Sequence, residues 1–180
     1  VHPASVWSNP EPELVLVIDR DGAIVAVTLG NDVNLRDVEG RSALLLGRAK
    51  DNNASCAMGP FLRLLDEHFT LDHARRVSFE TVVQGADGFR IAHQTQVSEI
   101  SRDLTELAGQ AIGKYHRYPD GLVLFIGTMS ALTAANGYRQ PLAADLDAER
   151  FQAAFRMVTC LQCLGDARFS VRVQSGEQDR

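Results

Sequence analysis

The chain has 180 residues, of which 45% are hydrophobic and 23% charged, close to the average of globular domains. This composition excludes collagen-like, coiled-coil and wholly disordered chains. No apolar stretch approaches the roughly 18–20 residues of a membrane helix, and the net charge of −5 offers no basic face for nucleic acid. We therefore expect neither a membrane nor a nucleic acid among the partners.

Strand patterns dominate the first third of the chain. Residues 13–18 predict a buried strand, and an Asp-Gly turn joins it to a second strand over residues 23–29. The run Gly30-Asn31-Asp32 is expected to end that second strand. Residues 35–39 predict a short helix or turn, and residues 40–56 predict a long loop.

The remainder of the chain mixes strands with two helices. Asp103 fits the N-cap of a helix that runs through Tyr115. Apolar residues at helical spacing predict a second helix over residues 147–163. The strands expected in this part are a short one over residues 61–65, a hairpin formed by 77–83 and 89–97, and one over 122–126, whereas the polar end of the chain, residues 170–180, is expected to fray.

Three acidic residues are expected at one edge of the first hairpin. Glu11 and Glu13 are two positions apart at the entry of a strand, so their side chains point to the same face. The hairpin brings Asp32 back beside them. Three clustered carboxylates suit a hard divalent cation such as Mg²⁺, Mn²⁺ or Ca²⁺, although spacing alone is also compatible with a solvated strand entry.

The order of short motifs around these residues is specific. Glu11-x-Glu13 is followed by Gly30-Asn31-Asp32 with Arg36-Asp37, then by Arg48-Ala49-Lys50, Gly59-Pro60 and Gly127-Thr128. This series resembles the fumarylacetoacetase (fumarylacetoacetate hydrolase) family. The runs E-G-R-S-A-L-L-L and A-K-D-N-N-A-S-C are most similar to the branch that contains 2-keto-3-deoxy sugar-acid dehydratases.

The resemblance implies a role for each matched residue. Glu11, Glu13 and Asp32 match the metal ligands. Arg36, Lys50 and Thr128 match residues that bind the substrate, and Lys50 and Glu39 are the implied catalytic residues. Glu39 stands where many relatives carry Gln. A salt bridge to Asp37 or Glu39 is the alternative for Arg36, and a backbone hydrogen bond is the alternative for Thr128.

Charge balance supports the assignment of Lys50. Three carboxylates around a divalent cation leave one negative charge, and a 2-oxo acid substrate adds another. Lys50, with Arg36 behind it, would supply the opposing positive charge. Only two of the 18 basic residues are lysines, Lys50 and Lys114, so a lysine at a matched functional position is noteworthy.

The implied fold is a β-rich α+β structure, the mixed β-roll of the fumarylacetoacetase C-terminal domain. We expect the family-like catalytic domain to span residues 1–130, without the segment that relatives carry ahead of the E-x-E strand. Residues 131–180 depart from the family pattern and are expected to form a divergent helical tail, through divergence, truncation or a frame shift. The resemblance also implies a homodimer, and three cysteines, an odd and low number, favour a reducing, cytoplasmic location.

The function implied by the resemblance is a Mg²⁺-dependent lyase that dehydrates a 2-keto-3-deoxy sugar acid, a pentonate, through a metal-stabilised enolate. A hydrolase that cleaves a C–C bond of 2,4-dioxo acids is an alternative, since it would use the same metal and the same class of small 2-oxo acid. An inactive fragment that only binds metal or a partner protein is the third possibility.

Overall fold

The computed structural model describes residues 2, 5–51, 53, 55–84, 90–129 and 168–174. Ten strands lie in this part: β1 (Ser8–Asn9), β2 (Pro12–Ile18), β3 (Ile24–Asp32), β4 (Asn34–Leu35), β5 (Cys56–Met58), β6 (Arg63–Leu64), β7 (Ser78–Gln84), β8 (Arg90–Gln96), β9 (Leu122–Phe125) and β10 (Arg168–Gln174). Three short α-helices accompany them: α1 (Arg36–Glu39), α2 (Leu71–Arg75) and α3 (Leu104–Ala111). The described chain is therefore β-rich with little helix, as expected.

The central antiparallel sheet has the order β5-β3-β2-β9, and β6 pairs with β3 beside β5. Its first hairpin, β2–β3, confirms the predicted pair of strands. The turn between them is fixed by the Asp19 carboxylate, which accepts hydrogen bonds of 2.9 Å from the backbone N–H groups of Asp21 and Ala23. Gly22 closes the turn at φ +88°, a conformation that favours glycine.

The hydrophobic core lies along β2, as its apolar sequence predicts. Leu14, Val15 and Leu16 are at most 1% exposed. Residues from β3, β7 and the N-terminal turn of α3 pack in one cluster with Leu14 and Leu16. Burial of this strand on both faces fixes the position of Glu11, which precedes it in the chain, and of Glu13 within it.

The second sheet has the order β10-β7-β8. The antiparallel β7–β8 pair confirms the predicted hairpin. Strand β10 pairs with β7 in parallel, from Arg168↔Ser78 to Gln174↔Gln84. The expected fraying from residue 170 is therefore wrong as far as Gln174, since this segment pairs with β7.

The boundaries of three other elements differ from those predicted. Strand β3 does not end at Gly30 but continues through Asp32, because Gly30–Asp32 pair with Cys56–Met58 of β5. Helix α3 begins after its Asp103 cap as predicted but ends at Ala111, where Ile112 turns to an extended conformation. The predicted strand over 61–65 is reduced to Arg63–Leu64.

The predicted helix over 147–163 lies outside the described residues. The division of the chain at residue 130 stays a prediction. Among the described residues, no helix combines the length and apolar character that crossing a membrane would require.

Candidate metal centre

Three carboxylates converge where β2 begins and β3 ends. Glu11 precedes β2, Glu13 lies within it, and Asp32 is the last residue of β3. The Asp32 N–H donates to the Glu11 carbonyl at 2.9 Å, which locks the two chain segments side by side. One oxygen of each carboxylate lies within 4.8 Å of the others. The spatial cluster predicted from the hairpin is therefore present.

The cluster is buried, which has electrostatic consequences. Glu11 is 9% exposed and Glu13 only 3%. Burial raises the pKa of Glu13 to about 7; a hydrogen bond from the Gly127 N–H opposes this rise, and the nearby charge of Asp32 adds to it. That N–H lies 2.7 Å from Glu13 Oε2. The site thus holds more negative charge than it can easily keep without a cation.

Lys50 supplies one cation from the loop that follows α1. Its Nζ donates to Glu11 Oε2 at 2.5 Å, to Asp32 Oδ2 at 2.8 Å and to the Asp32 carbonyl at 3.0 Å. Burial alone would lower the pKa of Lys50, but the bonds to Asp32 and Glu11 outweigh it and raise the pKa. Lys50 is therefore a charged ammonium in direct contact with two predicted metal ligands.

The donor set of the cluster fits a hard divalent cation. The three ligand groups are all carboxylates, the class that Mg²⁺, Mn²⁺ and Ca²⁺ prefer. With all three ionised and Lys50 charged, the net charge of the cluster is −2, which a divalent cation would neutralise. The ligand type, the distances between the carboxylates and the charge of the cluster therefore all favour a divalent cation. The burial of Glu11 and Glu13 disfavours the alternative of a solvated strand entry.

Arg36 and Glu39 lie beside the cluster, at the two ends of α1. Arg36 Nη1 donates to Glu39 Oε2 at 2.5 Å, so the salt bridge considered as an alternative for Arg36 is present. Burial would raise the pKa of Glu39, but hydrogen bonds from Asn34 and Arg36 lower it below its ordinary value. Glu39 is therefore ionised at neutral pH.

Asn34 is a site residue that the sequence motifs did not single out. Its Nδ2 donates to Glu11 Oε1 at 2.8 Å and to Glu39 Oε2 at 2.5 Å. It is fully buried. The available signal in the sequence was an asparagine two residues after a predicted ligand, but its partners become evident only in the structure, where it lies beside Glu11.

Thr128 makes the backbone hydrogen bond that was considered as its alternative. Its hydroxyl donates to the Pro12 carbonyl at 3.0 Å, between the two glutamates of the cluster in sequence. Together with the bond from the Gly127 N–H to Glu13, this contact anchors the end of β9 to the site. The substrate-binding role of Thr128 stays a prediction.

Curated relatives match a large part of the chain. It is 32% identical over 127 residues to a 2-dehydro-3-deoxy-D-arabinonate dehydratase of Saccharolobus solfataricus, covering 69% of this chain and 40% of that protein. It is 34% identical over 124 residues to a probable 2-keto-3-deoxyxylonate dehydratase of Haloferax volcanii, covering 69% and 41%. The chain thus spans about two fifths of these relatives. No family model matches it.

Solved structures share the fold. The apo form of 2-keto-3-deoxy-D-arabinonate dehydratase superposes with a TM-score of 0.66 at 26% identity, covering 77% of this chain and 48% of that one. A 5-carboxymethyl-2-hydroxymuconate delta-isomerase from Mycobacterium smegmatis, at 21% identity and a TM-score of 0.53 over 69% and 49%, is similar in fold alone. By sequence and by fold, the resemblance to the 2-keto-3-deoxy sugar-acid dehydratase branch of the fumarylacetoacetase family is confirmed.

Proposed function

We propose that this chain carries the metal centre of a divalent-metal-dependent lyase that dehydrates a 2-keto-3-deoxy pentonate. The observation that carries the proposal is the buried triad Glu11, Glu13 and Asp32, with Lys50 bound to two of its members. Both curated relatives bear the names of dehydratases of this substrate class. The reaction would remove a proton from C3 and release the C4 hydroxyl as water.

Mg²⁺ is the proposed cofactor, and Mn²⁺ or Ca²⁺ would suit the same oxygen ligands. One solved structure of 2-keto-3-deoxy-D-arabinonate dehydratase, with a TM-score of 0.65 and 26% identity, is a complex with magnesium and 2,5-dioxopentanoate. When bound to Glu11, Glu13 and Asp32, the cation would polarise the carbonyl of a 2-oxo acid and make the neighbouring C–H more acidic.

The cationic residues of the site would bind and orient the acid. Lys50 is held at the triad by three hydrogen bonds, and its ammonium would stabilise negative charge as it develops on the substrate oxygen. Arg36, which is half-exposed and bound on one side by Glu39, would add a second positive charge. Thr128 would bind the substrate carboxylate once its hydroxyl leaves the Pro12 carbonyl.

Glu39 is the proposed acidic catalytic residue. It is ionised, with a pKa below its ordinary value, and its fixed carboxylate would hold a water molecule that takes up the C3 proton and passes a proton to the departing C4 hydroxyl, which leaves as water. Its two donors, Asn34 and Arg36, keep it in place beside the triad.

The mass of the product tests the function. Purified protein with Mg²⁺ and a 2-keto-3-deoxy pentonate is expected to yield a product lighter by one water, and Glu13→Gln, which removes one ligand charge, is expected to abolish turnover. Cleavage of a 2,4-dioxo acid into two fragments would instead establish the hydrolase. Metal binding without turnover of either substrate would establish a metal-binding fragment.

We also propose a detailed fold, an oligomeric state and a cellular location for the protein. The mixed β-roll and the homodimer rest on the resemblance to the family, and the cytoplasmic location rests on the low cysteine count. Light scattering of the purified protein is expected to give twice the 19.7 kDa mass of the chain.

A further inference from the structure

Asn34 joins two carboxylates that have different roles in the site. One of its Nδ2 hydrogens is directed to Glu11 Oε1 at 2.8 Å and the other to Glu39 Oε2 at 2.5 Å. We propose that Asn34 is a positioning residue, which fixes Glu11 as a metal ligand and Glu39 as the second acidic group in one hydrogen-bonded unit. This inference rests on the proposed metal site.

The orientation of the Asn34 amide supports the proposal. An amide nitrogen carries two hydrogens, and both are used on carboxylates. The opposite orientation would place the amide oxygen against two negative carboxylates, which repel it. In the observed orientation, Asn34 Oδ1 is buried without a hydrogen-bond partner among the described residues. An unpaired buried oxygen costs stability. The two hydrogen bonds from Nδ2 to Glu11 and Glu39 offset that cost.

The contacts of Glu11 show what Asn34 adds to the site. Lys50 Nζ contacts Glu11 Oε2 and also Asp32 Oδ2, whereas Asn34 contacts Oε1, the other oxygen of Glu11. Asn34 and Lys50 therefore hold the Glu11 carboxylate by its two oxygens and fix its plane. Partners of this kind, which hold a metal ligand without touching the metal, set its orientation and basicity.

The second contact of Asn34 extends the unit to the proposed substrate site. Glu39 Oε2 accepts from both Asn34 and Arg36. Among the described side chains, only Asn34 donates hydrogen bonds to both Glu11 and Glu39. Its displacement would therefore change the positions of both carboxylates. Loss of Asn34 is expected to weaken metal binding and to lower kcat, with a smaller effect on KM.

Isothermal titration of the purified chain with Mn²⁺ alone tests this role. Asn34→Leu keeps the branched shape of the side chain but removes both donors, and it is expected to raise the Kd for Mn²⁺ about 10- to 100-fold. Asn34→Ser keeps one donor and is expected to have a smaller effect. Asn9→Leu is the matched control, because Asn9 is also buried, faces Asn34 in the register of β1 and β4, and bonds to neither carboxylate in the described part of the chain.

The outcomes separate this inference from the proposed function. A raised Kd for both Asn34 variants, with unchanged binding by Asn9→Leu, supports the positioning role. Equal binding by the wild type and Asn34→Ser, with only the stability to urea reduced, would overturn the role and leave the metal site standing. A wild-type chain that does not bind Mn²⁺ would overturn both.

Discussion

At the scale of single residues, Lys50 decides how the acidic cluster is neutralised. Its Nζ contacts Glu11 and Asp32 at 2.5 and 2.8 Å. Lys50→Met would leave these buried carboxylates without their cation, so the metal-free protein is expected to lose about 2 kcal/mol of unfolding free energy. Saturating Mg²⁺ is expected to restore much of the loss, because it binds the folded state alone. Urea denaturation with and without Mg²⁺ measures both effects.

Lys114→Met is the matched control for this prediction. Lys114, the other lysine, lies 5.3 Å from the ring of the exposed Tyr115. Its replacement is expected to change the unfolding free energy by less than about 0.5 kcal/mol, with no dependence on Mg²⁺. Equal stability of the two variants would show that Lys50 does not neutralise the cluster.

Asp37 gives the stability a dependence on acid pH. Burial would raise the pKa of this carboxyl, but hydrogen bonds from the Ser5 hydroxyl at 2.5 Å and the Val6 N–H at 3.3 Å lower it below its ordinary value. The stabilisation is therefore present above the ordinary pKa of about 3.9 and is lost as the pH falls through the lower folded value.

Asp37→Asn is expected to lose about 1 kcal/mol at neutral pH, and its difference from the wild type is expected to shrink below about pH 4. Urea denaturation at several pH values measures this difference. Asp51→Asn, at a carboxylate 74% exposed and 3.5 Å from Arg48, is expected to behave as the wild type. A pH-independent loss in Asp37→Asn would contradict the account.

The sequence was sufficient to predict residues whose roles follow from strand geometry and motif order. Glu11, Glu13 and Asp32 come together because a hairpin returns its second strand beside its first. Asn34 was not predicted, because its two acceptors come from separate segments and the bond to Glu11 depends on the pairing of β1 with β4.

At the scale of secondary structure, Gly30 shows why a glycine inside a strand does not end it. A Cβ at this position would lie 2.4 Å from the Phe125 ring and 2.6 Å from Val15 Cγ2. Gly30 thus allows β9 and β2 to pack closely beside Glu13, its partner in register. The expected break at Gly30 was wrong because this packing favours glycine in the strand.

Gly30→Ala is therefore expected to cost about 1–3 kcal/mol through overpacking, as measured by thermal or urea unfolding. Gly109→Ala is the control, because Gly109 lies in α3 with nothing within 4 Å of an added Cβ. There, alanine is expected to stabilise by about 0.5–1 kcal/mol. Destabilisation by both substitutions to the same extent would contradict the packing argument.

Other elements depended on contacts that local sequence does not contain. Strand β10 alternates polar and apolar residues, but that pattern does not contain its pairing with β7, which lies more than eighty residues earlier in the chain. Helix α2, only five residues long, has too few residues for helical periodicity to reveal it. Apolar strands such as β2 were predictable, because a run of apolar residues indicates a buried strand.

At the scale of the whole molecule, the site unites segments that are distant in the chain. Residues 11–13, 32–39, 50 and 127–128 meet at one end of the central sheet. The antiparallel order β3-β2-β9 brings these segments together, because β2 is central and both its neighbours extend to the end of the sheet where the acidic residues lie. The order of the motifs predicted which residues form the site, and the order of the strands explains why these residues lie close together.

The most direct test of the account is a crystal structure of the protein soaked with Mn²⁺, with anomalous scattering recorded at the manganese edge. The account predicts one strong peak among Glu11, Glu13 and Asp32, with an oxygen of each at roughly 2.0–2.6 Å. Lys50 is expected to face that peak. Absence of a peak at the triad, with Lys50 still bound to Glu11 and Asp32, would contradict the central claim that these carboxylates form a metal centre.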